Sequence, residues 1–129
     1  MDRKNLWLII GAINGAFAVL AGAYGAHIID VGHPDSALLL TFQKAVRYQM
    51  YHALGLVSVG LTLSRGAGAT AVWAGWLFIV GSIIFSGSLY ALAITGARWW
   101  GAITPIGGVS FMLGWAVFAW SIWMPEATQ

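Results

Sequence analysis

The sequence predicts an all-α, polytopic membrane protein, a single domain folded as a bundle of four transmembrane helices. Three observations carry that reading. The 129 residues are 60% hydrophobic and 8% charged, with a mean hydropathy of +0.81, too little polar surface to cover a soluble globule of this size. Apolar stretches at about 6–29, 43–63, 71–95 and 104–124 each match the ~20 residues that cross a hydrocarbon layer of ~30 Å. Small and polar side chains recur inside those stretches at helical spacing, as association in lipid requires.

The first span, 6–29, follows Arg3 and Lys4. It exceeds the ~7–15 residues of a signal-peptide core, so it reads as a span and not as a secretory leader cut near Ala23. Gly11, Gly15, Ala18, Gly22 and Gly25 alternate at steps of four and three. They lay one face of small residues, where backbones approach closely. That face predicts the first helix as the close-packed centre of the bundle. Asn14, near its middle, demands a hydroxyl or carbonyl partner on another span. Pro34 ends any continuous helix, and Asp35 or Ser36 can cap the next.

From 36 to 63 a single helix would be ~42 Å long, so its first turns project from the membrane. Its stretch at 41–55, TFQKAVRYQMYHALG, is where ionisable groups enter a span. Lys44, Arg47, Tyr48, Tyr51, His52 and Gly55 share one face at helical spacing, and a bare charge in hydrocarbon costs at least ~2.5 kcal/mol. The stripe is therefore expected to turn inward as a polar seam. The third span, 71–95, opens on interfacial Trp73 and Trp76 and places Ser82, Ser86, Tyr90 and Ala93 on one face as partners for that seam. Arg98, Trp99 and Trp100 form an interfacial anchor. The fourth span, 104–124, begins with Thr104 as N-cap and Pro105 at the first helical position, and packs through Gly107, Ser110 and Gly114.

Four spans put both termini on one side. With Lys44 and Arg47 assigned to the seam, Arg3, Lys4 and Arg65 outweigh Arg98, which places the termini in the cytoplasm. The six basic residues form no run, so neither a nucleic-acid surface nor a polybasic lipid-binding cluster is indicated. Cysteine is absent, which removes disulfides, thiolate nucleophiles and sulfur-ligated metals.

The motifs GAYGAH at 22–27, AVRYQMYHA at 45–53, FSGSLY at 85–90 and ITPIGG at 103–108 occur in order over nearly the whole chain. In these the chain resembles the family known as domain of unknown function 423, small membrane proteins related to transmembrane protein 256. The resemblance implies a small integral protein of four helices in a bacterial inner (plasma) membrane, or in the mitochondrial inner membrane of a eukaryote. It implies no activity, substrate or cofactor. His27, Arg47, Tyr48, Gln49, His52, Ser86, Ser88, Tyr90, Thr104 and Pro105 stand at positions matching its motifs.

The candidate ligand-binding residues are Arg47, Tyr48, Tyr51, His52, His27, Ser86 and Tyr90. The seam could bind an anionic head group or carry protons, or simply fix helix register; the structural role has the larger weight. His27 and His52 lie at different depths, against paired axial ligation of a haem. His27, Asp30, His33 and Asp35 match no defined metal spacing, which favours a solvated loop. No Asp or Glu lies inside a span, against cation-coupled transport, and the serines lack the paired base of a hydrolase. Neither catalytic residue, metal nor cofactor is expected. The expected role is a non-catalytic, accessory or self-associating subunit of a membrane complex, in contact with membrane lipid. The alternative is a protein that binds or conducts a lipid head group, quinone, small ligand or proton.

Overall fold

The computed structural model describes residues 2–26, 36–66 and 68–124. Within them the regular elements are all helical: α1 (Arg3–Tyr24), α2 (Ser36–Ser64), α3 (Ala69–Gly81), a π-helical segment (Ser82–Ser86), α4 (Gly87–Thr95) and α5 (Trp100–Trp123). Right-handed helical geometry continues through Gly81, Ser82, Ser86 and Gly87, so α3, the π segment and α4 form one rod. Among the described residues α1, this rod and α5 are long and apolar enough to cross a membrane, over Lys4–Tyr24, Ala69–Thr95 and Trp100–Trp123. α2 is not among them, because Lys44, Arg47, Gln49 and His52 dilute its N-terminal half. His27, Asp30, His33, Pro34 and Asp35 lie outside the described residues, as do the metal-loop and capping roles considered for them.

Helix ends follow local chemistry. Gly96 takes a left-handed φ of 69° and its N–H bonds Leu92 O at 2.8 Å, which stops the rod. Gly66 does the same after α2, with φ of 92°. α5 begins one turn earlier than Thr104. The N–H groups of Trp100, Gly101 and Ala102 bond back to Ala97, Arg98 and Trp99, three residues earlier, so the tight turn starts the helix upstream of Pro105. Pro105 is thus inside α5, and the Thr104 hydroxyl, freed from capping, lies 2.7 Å from Ser88 Oγ.

The hub is α2, not α1. α2 packs against α1, α3, the π segment, α4 and α5, whereas α1 packs extensively on α2 alone. The small-residue row of α1 does meet a neighbour: Gly11 lies at Val57 and Ala53, Gly22 at Val46, and Gly25 at Phe42. A row of small residues defines one contact face, however, and not a central position. The other side of α1 is Ile9, Ile13, Phe17 and Leu20, all exposed. α2 carries small or buried groups around more of its circumference, including Ala45, Ala53, Gly55, Leu56, Val59 and Gly60.

The main core gathers Trp7, Leu56, Val59, Ala74, Phe78, Phe111 and Phe118. Gly114 and Gly55 receive Phe78 from two sides, and Gly75 receives the Trp7 indole. The closest backbone approach in this part of the fold is Gly107 against the main chain of Phe85. A side chain at 107 would collide with backbone, which cannot swing away. Gly107→Leu is therefore expected to cost at least about 1–3 kcal/mol, read as a fall in thermal midpoint in detergent. Gly87→Ala, whose methyl would meet nothing within 4 Å, should leave the midpoint nearly unchanged. Equal melting of the two variants would contradict the Gly107 contact.

Candidate functional site

The polar face of α2 divides along its length. Ala45, Gln49, His52, Leu56 and Val59 recur at steps of four and three and are buried or half-buried. Leu40, Lys44, Arg47, Tyr51, Leu54 and Leu61 recur likewise on the far side and are exposed. The single inward seam expected from spacing is corrected accordingly: its Tyr48–His52–Gly55 flank turns toward the bundle, and its Lys44–Arg47–Tyr51 flank turns out. The reason is electrostatic. No described helix contains an Asp or Glu that could neutralise a buried cation, so long basic side chains gain more by reaching outward to head groups and water.

The inward flank is closed by hydrogen bonds. Gln49 Nε2–H donates to Asn14 Oδ1 at 2.9 Å, while Tyr90 OH donates to Gln49 Oε1 at 2.7 Å. One amide thus joins α1, α2 and α4. It satisfies Asn14 with an amide donor in place of the expected hydroxyl or carbonyl. Ser86, 1% exposed, donates to Ala45 O at 2.9 Å and ties the π segment to α2. Ser110 donates to Leu77 O at 2.8 Å between α5 and α3. Among the described residues Ser82 Oγ is the buried side-chain atom left without a partner.

His52 is 4% exposed and held on every side. Its ring lies flat on Phe111, with centroids 3.3 Å apart and planes 4° from parallel, and contacts Phe78 at 5.5 Å. The indole N–H of Trp115 donates to Nε2 at 3.2 Å. An indole can only donate, so Nε2 presents its lone pair and the ring proton sits on Nδ1, where it donates to Tyr48 O at 2.7 Å. The imidazole is neutral in this arrangement, with one fixed tautomer and both nitrogens engaged. Bonded at both nitrogens, it links α2 to α5, whereas a general base needs one nitrogen open.

Two open grooves flank this seam. One, about 500 Å³, lies between α2 and α5 and is walled by Tyr48, Tyr51, His52, Phe85, Gly108, Phe111, Met112 and Trp115. The other, also about 500 Å³, lies between α1 and α2, with Arg47 and Tyr51 on its rim. Of the sequence candidates, Tyr48, Tyr51 and His52 come together in the first groove. Arg47 and Tyr51 meet in the second, while Ser86 and Tyr90 serve helix contacts elsewhere. His27 lies outside the described residues. Gln49, which the sequence places only among the motif positions, and Trp115 are not among the sequence candidates. Gln49 shares the row of Ala45 and His52, a signal for burial, and Trp115 stands at the middle of the 104–124 span while the other indoles lie at span ends or between spans, a signal for a buried polar partner.

Comparison with known proteins yields a consistent set. Residues 21–108 match the family model described as Protein of unknown function (DUF423). A UPF0382 membrane protein of Staphylococcus epidermidis is 48% identical over 113 residues, covering 88% of this chain and 91% of its own. The UPF0382 membrane protein YwdK of Bacillus subtilis is 45% identical over 112 residues, covering 86% and 90%. No solved structure gives a significant match.

Removing the central amide should unpair two neighbours at once. Gln49→Leu is expected to lower unfolding free energy by about 1–3 kcal/mol, and Tyr90→Phe added to it should cost little more, since its partner is already gone. Additive losses would mean that the two side chains do not interact. Nitrogen-15 NMR of the imidazole should report a proton on Nδ1 of His52 and a lone pair on Nε2. In Trp115→Phe the Nε2 resonance should shift as its donor disappears; an unshifted resonance would contradict the Trp115 bond.

Proposed function

The chain belongs to the DUF423 family, membrane proteins of unknown function, and on that footing we propose that it is a non-catalytic subunit, self-associating or accessory to a larger membrane complex. The single observation that carries this reading is the use of the inward polar groups. Asn14, Gln49, Ser86, Tyr90, Ser110 and both nitrogens of His52 are committed to contacts within the chain. A seam whose amide, hydroxyl and imidazole groups bond one another serves register and specificity, and leaves neither nitrogen of His52 open. The same observation weighs against a proton role for His52, whose two nitrogens are both engaged. The outer faces meanwhile offer broad apolar surface, such as Ile9, Ile13 and Phe17 on α1 and Met112, Trp120 and Trp123 on α5. Surface of this kind can accept neighbouring helices as well as lipid.

The proposal includes four spans. α2 has 29 residues, ~43 Å as a helix, and runs antiparallel along α1. Phe42 lies at Gly25, Val57 at Gly11, and Gly60 at Leu8. That pairing supports α2 sharing the depth of α1 despite its polar half. Arg3, Lys4 and Arg65 at one end and Arg98 at the other support termini in the cytoplasm of a bacterial cell, with Lys44 and Arg47 counted within α2 and not as loop charges.

Extraction in a mild detergent followed by light scattering should give a defined assembly larger than the 13.8 kDa chain, either a fixed homo-oligomer or a complex with one recurring partner. A stable lone monomer under those conditions, with no partner retained, would refute the subunit role.

A further inference from the structure

We propose that the groove between α1 and α2 is a binding site for an anionic phospholipid, its phosphate held at Arg47 and an acyl chain lying along the trough below. This goes beyond the subunit role and is compatible with self-association through any other face of the chain.

The groove has an apolar body with one cation, Arg47, about midway along it. From Ala18 to Ala26 on α1 it is ~12 Å long, floored by Gly22 and Gly25 and walled by Val19, Val46 and Met50. The missing side chain at Gly22 opens the depression, while the Phe42 ring fills the space beside Gly25. Gly25 meets Phe42 at the upper end, close to the last described turn of α1, the end that the four-span reading sets at the head-group level. Arg47 is little more than one turn deeper than Phe42 along α2, with Lys44 between them in depth on the same exposed flank. A guanidinium at this depth can reach up to phosphate while its methylene stem stays in the apolar wall. Gln43 adds an uncharged donor on the rim. Among the described residues no carboxylate pairs with Arg47; the ion pair they contain is Lys4 with Asp2 at 3.3 Å, at the other end of α1. Charge complementarity therefore selects an anionic head group, and the apolar trough selects a lipid over a free anion. The α2–α5 groove is apolar too but lacks the charge, since no cation lines it and its imidazole is already bonded at both nitrogens.

The test is native mass spectrometry of the full chain released from bilayers of equal phosphatidylglycerol and phosphatidylcholine. The wild-type protein should retain phosphatidylglycerol preferentially. Arg47→Gln should reduce that retention about fivefold, the worth of one basic residue at an anionic surface, with its thermal midpoint unchanged because Arg47 is exposed. Val19→Trp, on the trough wall, should reduce retention of the lipid while keeping the cation. Inorganic phosphate in excess should not displace it. The proposal is overturned if Arg47→Gln retains phosphatidylglycerol as the wild type does, if the two lipids are retained equally, if phosphate alone competes, or if a second copy of the chain covers the groove with no lipid present.

Discussion

A polar side chain placed between helices in lipid has no water to fall back on, and the fold follows from how Gln49 meets that condition. Its amide carries both a donor and an acceptor, and the structure uses one on each side: Asn14 Oδ1 of α1 accepts from its N–H, and Tyr90 OH of α4 donates to its oxygen. Any rotation of α2 that kept one of these bonds would lose the other. The rotational setting of α2 is thereby fixed, and with it the direction of every other residue on that helix. Ala45 and His52 turn inward on the same row, to be met by Ser86 and Trp115. Arg47 and Tyr51 are carried outward by the same setting.

Close approach makes these bonds possible. Glycine and alanine on α1 let α2 come near enough for Gln49 to reach Asn14, and Gly107 lets α5 meet the backbone of the π segment at Phe85. Within that segment Ser86 faces α2 while Phe85 faces α5, so a locally widened helix serves two neighbours at once. Ser82, at the start of the same segment, is left without a partner, which marks this turn as the least satisfied part of the interior. Aromatic stacking then fills the centre. Phe111 lies against His52, and Phe78 touches Trp115 at 4.8 Å and Phe118 at 6.4 Å.

Much of this was legible in the sequence. Helix class, approximate extents and the small-residue face of α1 follow from apolar length and glycine spacing, and the hydroxyl face of the 69–95 rod follows from Ser86 and Tyr90. Three features were not. The centrality of α2 depends on how many helices surround it, which spacing along one chain does not encode. The outward turn of Arg47 and Tyr51 was hidden because the stripe Lys44 to Gly55 spans a wide arc, and periodicity cannot say which edge of an arc faces a neighbour. Pro105 reads as a first helical residue by propensity, yet the backbone bonds at Ala97, Arg98 and Trp99 start α5 a turn sooner. As for the candidate site, His52 was recognisable as an interior imidazole. That its partner is Trp115, 63 positions away, was recognisable only in three dimensions.

The setting of α2 can be measured directly, and the absence of native cysteine makes single-site labelling clean. Cysteine substitutions placed one at a time from Leu40 to Leu61, spin-labelled in nanodiscs, report collision with lipid-dissolved oxygen or aqueous relaxant at each position. The account predicts accessibility maxima at Leu40, Lys44, Arg47, Tyr51, Leu54 and Leu61, with minima at Ala45, Gln49, His52, Leu56 and Val59. A pattern rotated so that Gln49 and His52 stand among the maxima would contradict it.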